Sequence, residues 1–366
     1  MTDTDLSILG DDYVHVPQFG AAERSTAIGV IGAGWIVREC HLPSYRKAGF
    51  EIRAIASRSP EAAAQLAADF SIPIVHQDWR ALLADPSVTV LDLAFPPDVQ
   101  PDVIRAAVAQ SDHIRGILAQ KPLAMDSADA AEIVALCRDA GIVLSVNQNM
   151  RFDQSIRALK SLLTGGRLGT IYSAQITMHA RVVWMPYAQR YQRRALLIMS
   201  VHHLDCFRFL FGDPARILAT VRPDPLVAAD HIDGYAAYLL EYDNGLRAVG
   251  IDNCLTELDQ GIEWRVEGSD GIAKGTVGWM NYPAGSPSTI DVMTKAEAGR
   301  WFSPRWEERW FPDAFAGTMG QLLTAVATGA DPEIPAEDNL RTMALVDAAY
   351  ESARTGLAVS PSIFLP

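Results

Sequence analysis

The sequence predicts two domains, a doubly wound α/β domain on a parallel sheet and an α+β domain on a large, mostly antiparallel open sheet. Between residues 26 and 150, strands that are apolar throughout alternate with helical segments, which is typical of repeated βαβ units covered on both faces. Between residues 216 and 296, successive strand patterns are joined by turns, which favours antiparallel pairing. At 366 residues the chain also exceeds the usual size of a single core.

The first domain is predicted from alternating strand and helix patterns. Strand patterns fall at 27–31, 52–56, 88–94, 114–119 and 142–146. Helical patterns lie between them at 36–45, 60–70, 99–110 and 127–140. Pro60 suits the first turn of its helix, and Gly141 is placed to end the last one. Residues 1–25 show no periodicity, so we expect a mobile or loosely attached arm there.

The second domain opens with a helix at 153–163 and closes with one at 337–355. Its strand patterns fall at 170–183, 217–221, 235–242, 246–253, 262–267 and 289–294. Asp243-Asn244-Gly245 predicts a hairpin turn between two of these strands. The expected divisions of the chain are an arm, a parallel-sheet domain, an α+β domain, and a C-terminal helix with its tail, at 1–25, 26–150, 151–340 and 341–366.

Composition and charge exclude several classes of partner. The net charge of −13 argues against nucleic acid and anionic membranes, which both attract cationic surfaces. No apolar run approaches the ~20 residues of a transmembrane helix, and the acidic N-terminus lacks the regions of a signal peptide. The four cysteines are far apart and form no C-x-x-C pair, so we expect reduced thiols and a cytoplasmic location.

A glycine-containing turn after the first strand predicts a nucleotide site. Gly32-Ala33-Gly34-Trp35-Ile36 stands between a strand and a helix. In a Rossmann domain such glycines allow a tight turn and a close approach to a pyrophosphate, which the helix N-terminus then stabilises. The third position of the G-x-G-x-x-G pattern is Val37, so a purely structural turn is the alternative. The position of the turn in the chain favours dinucleotide binding.

The segment after the second strand bears on which dinucleotide is bound. A carboxylate usually stands there to bind the adenosine ribose, but this chain has Ser57-Arg58-Ser59. Arg58 can pair with a 2′-phosphate, which favours NADP, or it can stack on adenine or lie in solvent. The expected cofactor is therefore NAD or NADP.

Lys121 is the candidate general acid or base. Gln120-Lys121-Pro122 follows the strand at 114–119, and the carboxyl ends of parallel strands face the ligand crevice. If burial and a cationic nicotinamide lower the pKa of Lys121, its amine can exchange a proton with a substrate hydroxyl. The alternative is an ordinary surface lysine at a strand end.

A second candidate cluster opens a predicted helix at His202-His203-Leu204-Asp205. His202 and Asp205 are three residues apart and share a helix face, while His203 points elsewhere. His202 can relay or donate a proton near neutral pH, or it can be a core histidine satisfied by Asp205. A zinc site lacks a fourth ligand with recognisable spacing, so we expect no metal.

Ordered motifs along residues 26–362 resemble the family of glucose-fructose oxidoreductase, inositol dehydrogenase and rhizopine catabolism protein. The matching segments are Gly32-Ala33-Gly34, His41-Leu42-Pro43, Gln120-Lys121-Pro122-Leu123-Ala124, Asn149-Met150-Arg151-Phe152, Val201-His202-His203-Leu204-Asp205, Phe211-Gly212-Asp213-Pro214, Glu337-Asp338-Asn339-Leu340-Arg341 and Ala349-Tyr350-Glu351-Ser352-Ala353-Arg354-Thr355-Gly356. The family has glutamate where this chain has Gln120.

The resemblance implies NAD(P)-linked chemistry on sugars, inositols or similar compounds, with Lys121 and His202 in the catalytic positions. The family commonly has an aspartate four residues before that histidine, and here the position is Ile198. Two arrangements follow from this departure. In one, Lys121 carries proton transfer while His202 orients the substrate; in the other, Asp205 supplies the nearby charge.

The expected reaction moves a hydride from a carbinol to the nicotinamide, for instance from C1 of an aldose to give a lactone, with branched and deoxy sugars included. The alternatives are a keto-sugar reductase and a catalytically impaired nucleotide-binding subunit. Candidate cofactor-binding residues are Gly32, Ala33, Gly34, Trp35, Ile36, Ser57, Arg58, Phe95, Pro96, Gln100, Gln120 and Asn149. Candidate substrate-binding residues are Lys121, Arg151, Arg181, Trp184, His202, His203 and Asp205. The open sheet and the resemblance together predict a homodimer or homotetramer.

Overall fold

The chain divides into two compact units, each with its own sheet. The computed structural model describes residues 6–10, 13–14, 17–182, 185–227, 230–278 and 285–365. The parallel-sheet unit comprises the described residues within 16–149 and 312–343. The mixed-sheet unit comprises those up to residue 15 and within 150–311 and 344–365.

The parallel-sheet unit is built on six strands in the order β3-β2-β1-β4-β5-β6, paired in parallel throughout. The strands are β1 Ile28–Ile31, β2 Ile52–Ala56, β3 Ile74–His76, β4 Val90–Leu93, β5 Gly116–Ala119 and β6 Val143–Val146. The helices before the second unit are α1 Ala21–Ser25, α2 Leu42–Ala48, α3 Pro60–Phe70, α4 Trp79–Leu83, α5 Gln100–Val108 and α6 Ser127–Asp139. The strand order reverses beside β1, and in open α/β sheets ligands bind at the carboxyl ends of the strands at such a point.

The mixed-sheet unit is built on seven strands in the order β13-β12-β11-β7-β10-β9-β8. The strands are β7 Ile171–His179, β8 Arg216–Arg222, β9 Tyr235–Glu241, β10 Arg247–Asn253, β11 Gly261–Gly268, β12 Gly271–Val277 and β13 Thr289–Thr294. Neighbours run antiparallel except β7 and β10, which pair in parallel. The helices of this unit include α7 Gln154–Thr164 and α8 Val201–Phe211. Of the last two helices, α9 Ala314–Thr328 belongs to the parallel-sheet unit, and α10 Ala336–Thr355 begins there and ends in the mixed-sheet unit.

The predicted fold class is confirmed, together with the hairpin between β9 and β10. Gly245 has a φ of +91° in that turn, and the amide N–H of Leu246 donates to the side chain of Asn244 at 3.1 Å. The predicted strand at 170–183 ends at His179, and Val183 lies outside the described residues. Strand β12 was not predicted because its glycines and lysine give no strand pattern. A Cβ on Gly275 would lie 2.6 Å from the indole of Trp264, so the close packing of β11 on β12 requires glycine.

Most of the N-terminal residues that the structure describes are exposed or half-buried, but a few of them are anchored to the two units. The Phe19 ring lies 5.0 Å from that of Phe50, and a Cβ on Gly320 of α9 would lie 2.0 Å from Phe19. In the mixed-sheet unit, Leu9 is buried and its carbonyl accepts a hydrogen bond from the hydroxyl of Ser161. A few isolated anchors hold this segment, and isolated anchors leave no periodic pattern in a sequence.

The division of the chain also differs from the expected one, because residues 312–343 belong to the parallel-sheet unit rather than to a domain spanning 151–340. Helix α9 packs beside β5. A Cβ on Gly116 of that strand would lie 2.8 Å from the side chain of Val326. A return of the chain to an earlier sheet is a long-range contact, and local periodicity does not report it.

Candidate active site

The turn after β1 is shaped by two glycines with different roles. Gly32 has a φ of +134°, and a Cβ there would lie 2.7 Å from the carbonyl oxygen of Ala94, so the turn itself requires glycine. At Gly34, by contrast, no atom lies within 4 Å of the position of a Cβ. The helix that begins at Trp35 has its first amides beside this open surface, and Arg38 N–H donates to the carbonyl of Gly34 at 3.1 Å. A pyrophosphate fits such a cradle, and a side chain at Gly34 would fill it.

The other candidate cofactor residues follow strands that end at the same edge of the sheet. Ser57 and Arg58 come after β2, Phe95 and Pro96 after β4, Gln120 after β5, and Asn149 a little beyond β6. Arg58 is exposed and Ser57 is half-buried, with its hydroxyl accepting from the N–H of Ser59 at 3.3 Å. The edge therefore has a glycine turn and an exposed guanidinium, which suit the phosphates of a dinucleotide.

Gln100, which the sequence analysis expected to contact the cofactor, forms hydrogen bonds to the loop that carries Lys121. Its buried side-chain amide donates to the carbonyls of Gln120 at 2.8 Å and Leu123 at 2.9 Å. Its amide oxygen accepts from the N–H of Gln120 at 2.7 Å. Gln100 therefore clamps both ends of the loop that carries Lys121.

Lys121 lies on this clamped loop directly after β5. Its side chain is half-buried, and burial lowers the pKa of Lys121 to about 7. Its backbone N–H donates to the side-chain oxygen of Gln120 at 3.0 Å. An amine with this pKa populates its neutral and charged forms comparably near pH 7, so it can accept or donate a proton there.

The helix that carries His202 begins earlier than the sequence predicts. A π-helical segment, Ala195–Ser200, continues directly into α8. The carboxylate of Asp233 accepts from the N–H groups of Arg194 at 2.6 Å and Leu196 at 2.8 Å. Asp233 thus supplies the N-terminal cap from a distant part of the chain, which explains why no local capping signal marks the true start. Burial raises the pKa of this carboxyl.

His202 lies on the buried side of α8 and is 5% exposed. Its ring meets the indole of Trp310 edge to face, with the centroids 5.6 Å apart. Ile198, one turn earlier on the same helix, is also buried. The residue one turn before His202 is therefore apolar, where the resembling family commonly has an aspartate.

The neighbours of His202 anchor its helix. His203 Nδ1 lies 2.5 Å from Asp252 Oδ1 of β10, and Tyr238 donates to the other oxygen of Asp252 at 3.1 Å. Both carboxylate oxygens of Asp205 accept from Arg151, at 2.6 and 2.7 Å. All of these side chains are buried. His203, Asp205 and Arg151, expected as substrate contacts, thus make strong internal bonds that fix the helix on its sheet.

Arg181 follows β7 and pairs with Asp224, while its Nε lies 3.8 Å from Glu257. Trp184 lies outside the described residues. The four cysteines are buried and form no disulfide. Across the residues given above as described, no group of three or more His, Cys, Asp or Glu side chains could hold a metal ion. Within those same ranges, no helix has the length and apolar character needed to span a membrane.

Curated relatives align with almost the whole chain. It is 28% identical over 343 residues to a D-apiose dehydrogenase of Paraburkholderia graminis, covering 90% of this chain and 88% of that one. It is 27% identical to a D-xylose 1-dehydrogenase (NADP(+)) of Haloferax volcanii, covering 90% of this chain and 98% of that one.

Asp233, which caps the helix of His202, was not among the residues that the sequence singled out.

Solved structures share the fold. An oxidoreductase from Agrobacterium radiobacter, determined with NAD+, L-tartaric acid and magnesium, superposes with a TM-score of 0.81 at 23% identity, covering 93% of this chain and all of that one. Family models match both halves of the sequence. Residues 26–148 match the GFO/IDH/MocA oxidoreductase family with its NAD-binding Rossmann fold, and residues 156–274 match a GFO/IDH/MocA C-terminal domain. The chain therefore belongs to the GFO/IDH/MocA family of NAD-binding oxidoreductases.

Proposed function

We propose that this protein is an NAD(P)-dependent dehydrogenase that oxidises a CH–OH group of a sugar or polyol. The observation that carries the proposal is Lys121, held directly after β5 with a pKa lowered to about 7 by burial. The glycine turn at Gly32–Gly34 ends at the same edge of the sheet. The dehydrogenases of apiose and xylose among the relatives support a sugar as the substrate.

In this proposal Lys121 is the proton acceptor. When bound, NAD(P)+ supplies the hydride acceptor. The neutral amine of Lys121 takes the proton of the substrate hydroxyl as the carbinol C–H bond breaks, so the carbinol carbon becomes a carbonyl carbon. For an aldose that reacts at C1, the product is a lactone. In the reverse direction the charged amine returns the proton, so a keto-sugar reductase is the second candidate that a pKa of about 7 supports.

We assign His202 the role of orienting the substrate. Ile198 stands where the family has aspartate, and the carboxylate of Asp205 is bonded to Arg151. Neither of these two residues therefore suits His202 as the charged partner of a proton relay, and the lowered pKa of Lys121 favours the lysine for proton transfer. A nucleotide-binding subunit without chemistry is disfavoured because such a subunit has no use for a lysine of lowered pKa.

We further propose a homodimer or homotetramer that forms through the open face of the mixed sheet. Leu218, Leu239 and Val249 are neighbours in one row across β8, β9 and β10 of that face. Leu218 and Val249 are 42% and 40% exposed. Adjacent exposed aliphatic side chains of this kind are typical of subunit interfaces. We also propose a cytoplasmic location, which the four buried cysteines without a disulfide support. A role in carbohydrate metabolism follows from the proposed substrate.

Gly34→Val should abolish cofactor binding and leave the fold intact. The new side chain would enter open space in the folded chain but would fill the cradle for the pyrophosphate. Fluorescence titration with NADH and NADPH measures the affinity, and circular dichroism monitors the fold. Gly261→Val, at a strand glycine whose Cβ also meets nothing within 4 Å, is the matched control and should bind normally. Unchanged NAD(P)H affinity in Gly34→Val would refute the placement of the cofactor.

Lys121→Met should lower kcat for sugar oxidation by at least ~10²-fold while cofactor affinity is retained, because the general base is lost. Lys121→Arg should be equally impaired, since a guanidinium stays protonated at neutral pH. Lys47→Met removes an exposed lysine of the same unit and is the control.

The pH profile of the wild type follows from the same assignment. Oxidation should rise with pH through one ionisation near 7 and level off above it, because only the neutral amine accepts the proton. Carbonyl reduction should fall over the same range. Turnover in Lys121→Met within a few-fold of wild type would remove Lys121 from the mechanism.

Arg58→Ala should distinguish the two cofactors. If Arg58 pairs with a 2′-phosphate, the variant should lose about 1.5–3 kcal/mol of NADP affinity, the worth of a charge-assisted hydrogen bond, with little change for NAD. Arg138→Ala, at an exposed arginine of the same unit near the end of α6, is the control. Equal losses for NAD and NADP would mean that Arg58 contacts the adenine instead.

A further inference from the structure

A small cavity of about 50 Å³ lies wholly within the mixed-sheet unit, against the helical segment that leads to His202. Ile198 of that segment lines the cavity, and Ile198 and His202 are four residues apart on one continuous helix. Residues at this spacing lie one turn apart on the same side of a helix. The wall that Ile198 contributes to the cavity therefore lies about one helical turn from His202, which is not itself on the lining.

Hydrocarbon and thioether groups form much of its wall. Together with Ile198, the lining includes Met185, Met199, Val182 and Val227. Ile198, Met185 and Met199 are each buried. These side chains offer dispersion contacts and no strong hydrogen bond.

The acidic groups on the lining are bonded to the protein itself. Asp233 accepts from two backbone N–H groups of the helix start and from the hydroxyl of Tyr350 at 2.7 Å. Asp224 pairs with the guanidinium of Arg181, and its backbone N–H donates to His231 Nε2 at 2.8 Å. Both carboxylates therefore already accept hydrogen bonds from donors of the protein.

The guanidinium on the lining is engaged in the same way. Arg194 donates from Nε to the carbonyl of Tyr191 at 2.8 Å and from Nη2 to the carbonyl of Gln189. A ligand that enters the cavity thus meets largely apolar walls, carboxylates and a guanidinium that already have protein partners, and the side chains of Gln189 and His231. A hydroxyl placed there would lose its hydrogen bonds to water with poor replacement.

The size of the cavity restricts its occupant further. One water molecule needs about 10–15 Å³ of such space, so a cavity of about 50 Å³ has room for a few heavy atoms. A whole sugar ring would not fit, but a short substituent of one would.

We propose that this cavity is an apolar subsite that receives a hydroxyl-free substituent of the substrate, such as the methyl group of a deoxy sugar. The inference rests on the proposed function, because it places this substituent on the molecule that His202 orients. Ile198 is the central specificity-determining residue. An aspartate at this position would offer a carboxylate to a hydroxyl, whereas isoleucine favours a carbon that bears none.

Matched sugar pairs test the subsite. D-Glucose is compared with its 2-, 3-, 4- and 6-deoxy derivatives, D-galactose with D-fucose, and L-mannose with L-rhamnose, each with NAD+ and NADP+. At least one deoxy sugar should exceed its parent in kcat/KM by about 10- to 100-fold, the range over which an apolar pocket rejects an added hydroxyl. Binding of the same pairs to the enzyme with NADH is measured by calorimetry, which does not depend on turnover.

Variants of the lining identify the cavity as the source of the preference. Ile198→Asn and Met185→Gln should each reduce the advantage of the deoxy sugar to about threefold or less, because each offers the hydroxyl a polar partner. Ile198→Val keeps the wall apolar and should retain the preference. Met185 lies outside the regular helices, so Met185→Gln keeps the test decisive if Ile198→Asn does not fold.

The outcomes separate this inference from the proposed function. Oxidation of parent and deoxy sugars with equal kcat/KM would overturn the subsite and leave the dehydrogenase assignment in place. A deoxy preference that persists in both polar variants would overturn it as well. If the enzyme oxidises none of these sugars, and no pentose, branched sugar or inositol either, the proposed function fails. In that event the subsite is supported by tighter binding of a deoxy sugar that Met185→Gln abolishes, and overturned by equal binding.

Discussion

Desolvation of a single amine at the end of β5 is the interaction on which the proposed chemistry depends. Lysine is ordinarily charged at neutral pH, and only the loss of water around it brings the pKa of Lys121 down to about 7. That environment requires the loop after β5 to be held in place, which Gln100 achieves with bonds to both ends of the loop. The parallel sheet then brings the glycine turn after β1 to the same edge. Proton exchange and cofactor binding thus follow from one strand arrangement.

In the mixed-sheet unit, buried hydrogen bonds hold the helix that carries His202 in position. Asp233 caps the start of that helix, while His203 and Asp205 tie it to Asp252 and Arg151. Burial of a carboxylate costs free energy unless the group is hydrogen-bonded or paired. Each of these carboxylates is therefore stable in the interior only in the position where it meets its partner. Such pairs fix the rotation of the helix about its axis, and with it the face that carries Ile198 and His202. The polar residues beside His202 in the sequence therefore hold the helix in position, and one turn before His202 the same side of the helix carries the apolar Ile198.

The sequence predicted the features that local chemistry encodes. Apolar strand runs and helix periods gave the parallel sheet, and the position of Gly32 and Gly34 after β1 gave the nucleotide turn. The position of Lys121 at a strand end predicted a lowered pKa in the same way. Hydrogen bonds between residues that are far apart in the chain could not be predicted from the sequence. Asp233 caps a helix that begins 38 residues earlier at Ala195, and Asp205 is bonded to Arg151, 54 residues away, so neither pairing has a local signal in the sequence. The return of α9 to β5 was not predicted for the same reason, because such a contact between distant segments leaves no local signal.

The most direct measurement is the pKa of Lys121 itself, without substrate. The protein is labelled with ¹³C at lysine Cε, and its NMR spectrum is followed across the pH range, with the resonance of Lys121 assigned by its absence in Lys121→Met. A midpoint near 7 is the predicted result, well below the ~10.4 that is usual for a lysine amine. A midpoint for Lys121 near that usual value would contradict the claim that burial makes this amine the proton acceptor.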